Sequence, residues 1–292
     1  MTSVVSHDHP EPDAVPVRDA ATVMLLRDGL NGVEVCMMQR NLNSDFVGGA
    51  YVFPGGAVDP GDGAAATLAV CTGRDDVSAS QLLDVGSGGL AFWVAAIRES
   101  FEEAGILLAR DAGGRPLSFA DADLAERFEI HRADVDHGRR HLADVARDER
   151  LRLDVGALHY FSRWITPLGA HRRYDTRFFV AAAPEGQVAL HDDRELISTH
   201  WLTPTEALRR HDAGDLVMIF PTIRSLVALQ RFDRAAEVLD HAAAQARVPA
   251  VLPTVTESPD GTRIVLPGDP EHTGGVYDAH TAKPVIEGRE RG

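Results

Sequence analysis

The chain has 292 residues, 44% hydrophobic and 25% charged, enough to bury a sizeable core. Its 29 Lys and Arg against 44 Asp and Glu leave a net charge of −15, which argues against a nucleic-acid or anionic-membrane surface. The only cysteines, Cys36 and Cys71, match no metal-ligand spacing and fit a reduced, cytoplasmic setting, and no run is apolar enough to span a bilayer.

Residues 1–18 are polar and rich in Pro and Asp, lack the basic start and apolar run of a secretory signal, and read as a disordered tail. "ATVMLLRDGLNGVEVCMMQR" places two β-rich runs around a turn, a hairpin. "GAYVFPGGAVDPGD" reads as a short strand, Tyr51 to Phe53, entering a Pro/Gly loop. Residues 63–90 are small, polar and Gly-rich, and read as an insertion or mobile lid with a short helix near Ser78 to Asp84.

A helix from Phe92 to Ala104 follows, stopped by Gly105. Residues 120–150 read as helical, and "ALHYFSRWIT" and "RRYDTRFFVAAA" as strands. "STHWLTPTEALRRH" gives a strand and then a short helix capped by Thr203 or Thr205. One long amphipathic helix opened by Pro221 is expected over "PTIRSLVALQRFDRAAEVLDHAAAQA". Mixed strand and helix order implies an α/β class with a mixed sheet. The division is a tail over 1–18, one domain over 19–248 with the 63–90 insertion, and a C-terminal extension or tail over 249–292.

The Phe92–Ala104 helix carries the chemistry. Glu99, Glu102 and Glu103 stand at i, i+3 and i+4, so three carboxylates crowd together. At an exposed surface such repulsion costs a few tenths of a kcal/mol per pair, and more in a cleft. Arg98 offsets part of it; Mg2+ or Mn2+ would offset far more, because hard cations prefer carboxylate oxygens. A solvated acidic face is the bland alternative, and the surroundings decide.

Upstream, Gly55 and Gly56 let the backbone approach a ligand closely. Here the sequence resembles the Nudix hydrolases, whose box is G-x5-E-x7-R-E-U-x-E-E-x-G-U with U apolar. Gly56, Arg98, Glu99, Glu102, Glu103, Gly105 and Ile106 match. Asp62 stands where the box has Glu, Ser100 where it has an apolar residue, and 35 residues separate Asp62 from Arg98 where the box has seven. "DFVGGAYVFPGGAVD", "WVAAIRESFEEAGILL" and "RWITPLGAHRRYDTRFFVAA" resemble the branch of animal peroxisomal coenzyme A diphosphatases, which also carries a long insertion in the box. No peroxisomal tripeptide ends the chain, which finishes "RERG".

The resemblance implies an α/β/α sandwich with a C-terminal helical extension. It also implies metal-dependent hydrolysis of coenzyme A or its acyl esters to phosphopantetheine and 3′,5′-ADP. NADH, ADP-ribose or dinucleoside polyphosphates are the alternative substrates. A non-catalytic ligand-binding module is a third reading, disfavoured because all three glutamates are kept. By the same resemblance Glu102 and Glu103 are the main metal ligands, with the Gly55 carbonyl a further one, and Glu99 is a ligand or the base. Arg98 ties the glutamates in position, and a homodimer is the family's habit.

"HDDRELISTHW" offers Glu195 as a further acidic ligand, while Asp192 and Asp193 read as a solvated cluster. Lys283 is the only lysine, so an anion site here is built from arginine, histidine and backbone amides. The basic run "HRRYDTRFF" therefore makes Arg172, Arg173 and Arg177 candidate phosphate partners beside Gly56, against the alternative of surface ion pairs. Tyr174 and Phe178 are candidates to stack an adenine, with core packing favoured for Phe178. Trp93, Phe101, Trp164 and Trp201 are expected in the core.

Overall fold

The computed structural model describes residues 15–42, 48–192, 195–267 and 275–285. Residues 1–14 of the expected tail, and Asp193, lie outside the described residues. Alternating apolar residues build a long hairpin, β1 (Val17–Gly29) and β2 (Gly32–Arg40), around a tight turn. Val17 and Arg18 belong to β1 and pair with a later strand, so the ordered chain begins before residue 19. Short strands β3 (Tyr51–Val52) and β4 (Gly55–Ala57) pair with β2 and β1. The glycine segment expected as a loop is thus a strand, with Gly56 opposite Ala21 and Gly55 opposite Thr22.

The insertion contributes α1 (Ala65–Leu68), β5 (Cys71–Thr72) and α2 (Asp76–Leu83) before the central helix α3 (Leu90–Ala104). Rather than a mobile lid, it is a packed part of the fold. Cys71, Ala79 and Leu83 are buried in the core, and Asp76 accepts from the Gly88 and Leu90 amides at 3.0 Å each, tying the insertion to the start of α3. Next come β6 (Ala109–Arg110), α4 (Ala122–Asp136), α5 (Leu142–Asp148) and β7 (Arg152–Asp154), and β5, β7 and β6 form a small sheet.

The main sheet is completed by β8 (His159–Ile165), β9 (Arg173–Ala182) and β10 (Leu196–Leu202). Beyond it lie α6 (Pro204–Asp212), capped by Thr203, α7 (Phe220–Leu229) and α8 (Ala235–Ala244). The single helix expected after Pro221 is two. Glu237 accepts from the Asp233 and Arg234 amides and Asp28 from the Ala235 amide, so backbone amides donating to side-chain carboxylates restart the helix instead of continuing it. Strand β11 (Ala250–Val251) joins the sheet beside β8, and β12 (Thr254–Ser258), β13 (Gly261–Val265) and β14 (Val276–Asp278) form a separate antiparallel sheet. The region read as a tail therefore has a folded part.

The mixed sheet runs β10-β2-β1-β9-β8-β11, with β1 and β9 parallel and β1 and β2 antiparallel. Period-2 alternation sends Val23, Leu25 and Phe179 to a core shared with α3, and Met24, Leu26 and Val180 to one shared with α7 and α8. The result is an α/β/α sandwich. Trp93 and Phe101 are buried in the α3 core, Trp164 in the other, and Trp201 packs half-buried against the first.

The end of α3 is held by a residue no motif announces. Arg132 of α4 is buried and donates to the carbonyls of Glu102 (3.0 Å), Glu103 (2.8 Å) and Leu190 (2.9 Å). Those first two carbonyls lack helical partners, so the guanidinium caps the helix where its glutamates sit. Arg132→Leu is expected to cost about 3 kcal/mol in urea unfolding, since it orphans buried acceptors. A loss below about 0.5 kcal/mol would show that the cap is dispensable.

Candidate active site

Helix α3 places Arg98, Glu99, Glu102 and Glu103 against β4. A Cβ at Gly55 would sit 2.6 Å from the Ala21 carbonyl, so glycine there lets β4 close onto β1, and one at Gly56 would sit 2.4 Å from Glu99 Oε1 and displace that carboxylate. The Gly55 amide donates to Glu103 Oε2 at 2.9 Å. Gly55 is therefore tied to the cluster through its N–H, while the sequence singled out its carbonyl.

Arg98 is the hub. Its Nε and Nη2 donate to Asp62 Oδ1 and Oδ2 at 3.0 Å each, Nη2 also to the Ala57 carbonyl at 2.8 Å, and Nη1 to Glu99 Oε1 at 2.8 Å and Glu102 Oε2 at 2.9 Å. Asp62, the shorter stand-in for glutamate, is itself buried and makes a bidentate pair across the insertion. Ser100 explains its own departure from the apolar pattern by donating to the Ile106 carbonyl at 2.9 Å within the helix-ending turn.

Burial opposes the charge on Arg98, yet its bonds to Asp62 and the fields of Glu99, Asp62 and Glu102 outweigh that and hold it above the ordinary arginine value. The glutamates are under-compensated. Glu102 is pushed up to about 7, first by desolvation, with Arg98 opposing and Glu99 adding to the rise. Glu99 is raised by desolvation against the pull of Arg98. Glu103 is raised well above its usual range by desolvation and then by the negative field of Glu99, with the Gly55 amide as the main counterweight. These are hard oxygen donors short of positive charge, the donor chemistry of a divalent-cation site. Among the described residues, no three His, Cys, Asp or Glu side chains are already arranged to hold a metal ion. Arg98 instead draws Glu99 and Glu102 to itself.

Glu195 lies just before β10 and is exposed, but its charge is felt by both Glu99 and Glu103, so the structure does bring it near. Asp192 is used locally, accepting from the Glu195 and Leu196 amides. The three arginines are not brought together at the glutamates. Arg173 is buried and donates to the Thr166 carbonyl, and Arg177 is buried against Phe92 and pairs with Asp19 and Asp175, while Arg172 is exposed. The physical reason is the pleat of β9: Arg173, Asp175 and Arg177 share the face toward α3, and Tyr174, Thr176 and Phe178 the other.

That other face opens into a cavity of about 500 Å3 bordered by Gly55, Thr22, Arg40, Trp164, Tyr174 and Phe178. Gly55 thus links the carboxylates to the cavity, and Arg40 both lines it and opposes the raised pKa of Glu103. Arg40 carries no motif signal in the sequence; it is simply the last residue of β2. Phe178 and Trp164 are buried in the core, as expected, and also border the cavity, as does Tyr174.

The NUDT19 Nudix domain profile matches residues 73–229, more than half of the chain. The chain belongs to this Nudix family. The acyl-coenzyme A diphosphatase NUDT19 of Gallus gallus is 29% identical over 283 residues, covering 82% of this chain and 75% of its own. The Homo sapiens protein of the same name is 26% identical, covering 82% and 72%. A crystal structure of a NUDIX hydrolase from Alicyclobacillus acidocaldarius superposes with TM-score 0.64 at 29% identity, covering 81% of this chain and 99% of that one. The chain is thus a Nudix enzyme, as its box implied, with an α/β fold. Among its described residues no helix is long and apolar enough to cross a membrane.

The raised Glu102 sets a pH dependence for the metal-free Nudix enzyme. Its folded value, about 7, lies above the ordinary 4.5, so the folded state binds the proton more tightly. Stability from this group is fully present below about pH 4.5 and lost as pH rises through about 7, at most about 3 kcal/mol. In chelator at pH 8, Glu102→Gln is therefore expected to melt above the parent, with the gap closing toward pH 5. A variant melting below the parent at pH 8 would contradict this origin of the shift.

Proposed function

We propose that the chain is a divalent-cation-dependent diphosphatase acting on coenzyme A or its acyl esters. The observation that carries the reading is the buried Glu103 carboxylate, bonded to the Gly55 amide where the helix meets the cavity. Support for the substrate class comes from the names of the relatives, acyl-coenzyme A diphosphatases matched over most of their length.

In this reading Glu99, Glu102 and Glu103 hold Mg2+ or Mn2+, with Glu195 and the Gly55 carbonyl as further oxygens. When bound, such an ion neutralises charge on the diphosphate and acidifies water. The protein's own part is positional. Arg98, anchored by Asp62 and the Ala57 carbonyl, keeps Glu99 and Glu102 from rotating away. The Gly55 amide fixes Glu103, and the missing Cβ of Gly56 leaves room beside Glu99. Water adds to one phosphorus and the bridging P–O bond breaks, leaving 3′,5′-ADP and 4′-phosphopantetheine or its acyl form. Arg40 is the cation placed to meet the substrate diphosphate from the cavity side. We place the enzyme in the cytoplasm, which its two free buried cysteines support.

Product analysis by mass spectrometry tests the reading. With Mg2+ or Mn2+, release of 3′,5′-ADP from coenzyme A and acetyl-coenzyme A is expected. Dephospho-coenzyme A, NADH, ADP-ribose and diadenosine polyphosphates are expected to be cleaved at least tenfold more slowly. Preferred cleavage of NADH or ADP-ribose would keep the chemistry and discard the substrate. Glu103→Gln is expected to lower turnover by at least a thousandfold while circular dichroism stays unchanged; undiminished activity would remove Glu103 from the site.

A further inference from the structure

The 500 Å3 cavity has an uneven chemistry. Its walls include Trp164, Phe178, Met218 and Phe220 and several threonine hydroxyls; among the described residues they hold no Asp, Glu or Lys and one arginine, Arg40, in the field of Glu103. A volume of this size suits one arm of a nucleotide conjugate rather than the whole molecule. Part of the wall comes from outside the Nudix-matched region: Pro253, Ile264, Ala279 and His280 of the C-terminal segment. That segment is fixed in place. Tyr277 packs edge-on against Phe220 at 5.9 Å with Arg224 over its ring at 4.9 Å. His211 Nε2 lies 3.0 Å from the His280 carbonyl, and Lys283 pairs with Asp212 at 2.8 Å.

We propose that this cavity is the subsite for the acyl-pantetheine arm, and that the C-terminal segment, through Ile264 of β13 and Ala279 just after β14, sets which acyl chains it accepts. The inference rests on the coenzyme A reading above and adds the direction of binding. The 3′-phosphoadenosine arm carries a dianion that needs several cationic donors, and among the described residues Arg40 is the only Lys or Arg on the wall. Threonine hydroxyls suit the pantetheine amides, and each methylene buried against the apolar wall is worth about fourfold in affinity.

Calorimetric titration of the metal-free protein with two fragments, S-octanoyl-pantetheine and 3′,5′-ADP, tests this without turnover. Ala279→Phe, which fills the cavity from the extension, is expected to weaken S-octanoyl-pantetheine at least tenfold and leave 3′,5′-ADP within twofold. In turnover the same variant is expected to raise KM for octanoyl-coenzyme A far more than for free coenzyme A. Ile264→Ala, which enlarges the same wall, is expected to shift the preferred chain to a longer one. Loss of 3′,5′-ADP binding, equal loss of both fragments, or no loss of either in a folded Ala279→Phe would overturn the subsite, as would unchanged chain preference in Ile264→Ala. Fragment binding as expected without cleavage of any coenzyme A compound would fail the activity and leave the subsite standing; cleavage without binding of S-octanoyl-pantetheine would do the reverse.

Discussion

One guanidinium and four carboxylates set the terms for this structure. Arg98 reaches Asp62, Glu99 and Glu102 directly, whereas buried Glu103 is met by the Gly55 backbone amide instead. A buried charge without a matched partner is costly, and the raised values of all three helix glutamates express that cost. The neighbouring elements can be understood as holding this arrangement in place. Strand β4 approaches the helix through two glycines, the turn after β4 delivers Asp62 to Arg98, and Arg132 of α4 caps the turn carrying Glu102 and Glu103.

The insertion is an ordered part of the same arrangement. Between Asp62 and Arg98 the chain runs through α1, β5 and α2, while Asp62 itself is set by the turn after β4, where its carboxylate accepts from the Asp59 amide at 2.8 Å. Burial of Ala79 and Leu83 against the core of α3, and the hydrogen bonds that Asp76 accepts from the Gly88 and Leu90 amides at the start of α3, turn a long detour into a packed bracket. The extra residues leave the box intact in space although they break it in sequence.

Much of the carboxylate site was legible in the sequence, because it is local. Helical spacing put Glu99, Glu102 and Glu103 together, Gly105 marked the stop, and paired glycines marked the close approach. What could not be read there depends on residues far apart. Arg132 lies about thirty positions from the carbonyls it caps, Arg40 ends a hairpin with no motif, and Ile264 and Ala279 come from a region whose strands are short and polar. The basic run of β9 misled by composition: strand alternation, applied strictly, separates Arg173 and Arg177 from Tyr174 and Phe178, and the cavity lies on the aromatic side. The insertion misled because its buried residues are few, small and widely spaced among glycines.

If the glutamates are gathered for a cation and carry protons without one, metal binding must displace protons. Calorimetric titration of the apoprotein with Mn2+ at pH 6.5, in two buffers of different ionisation enthalpy, measures that displacement directly. The expected result is saturable binding with net release of protons, both lost in Glu103→Gln. Absence of binding, or binding with no proton released, would contradict the claim that a divalent cation compensates these buried carboxylates.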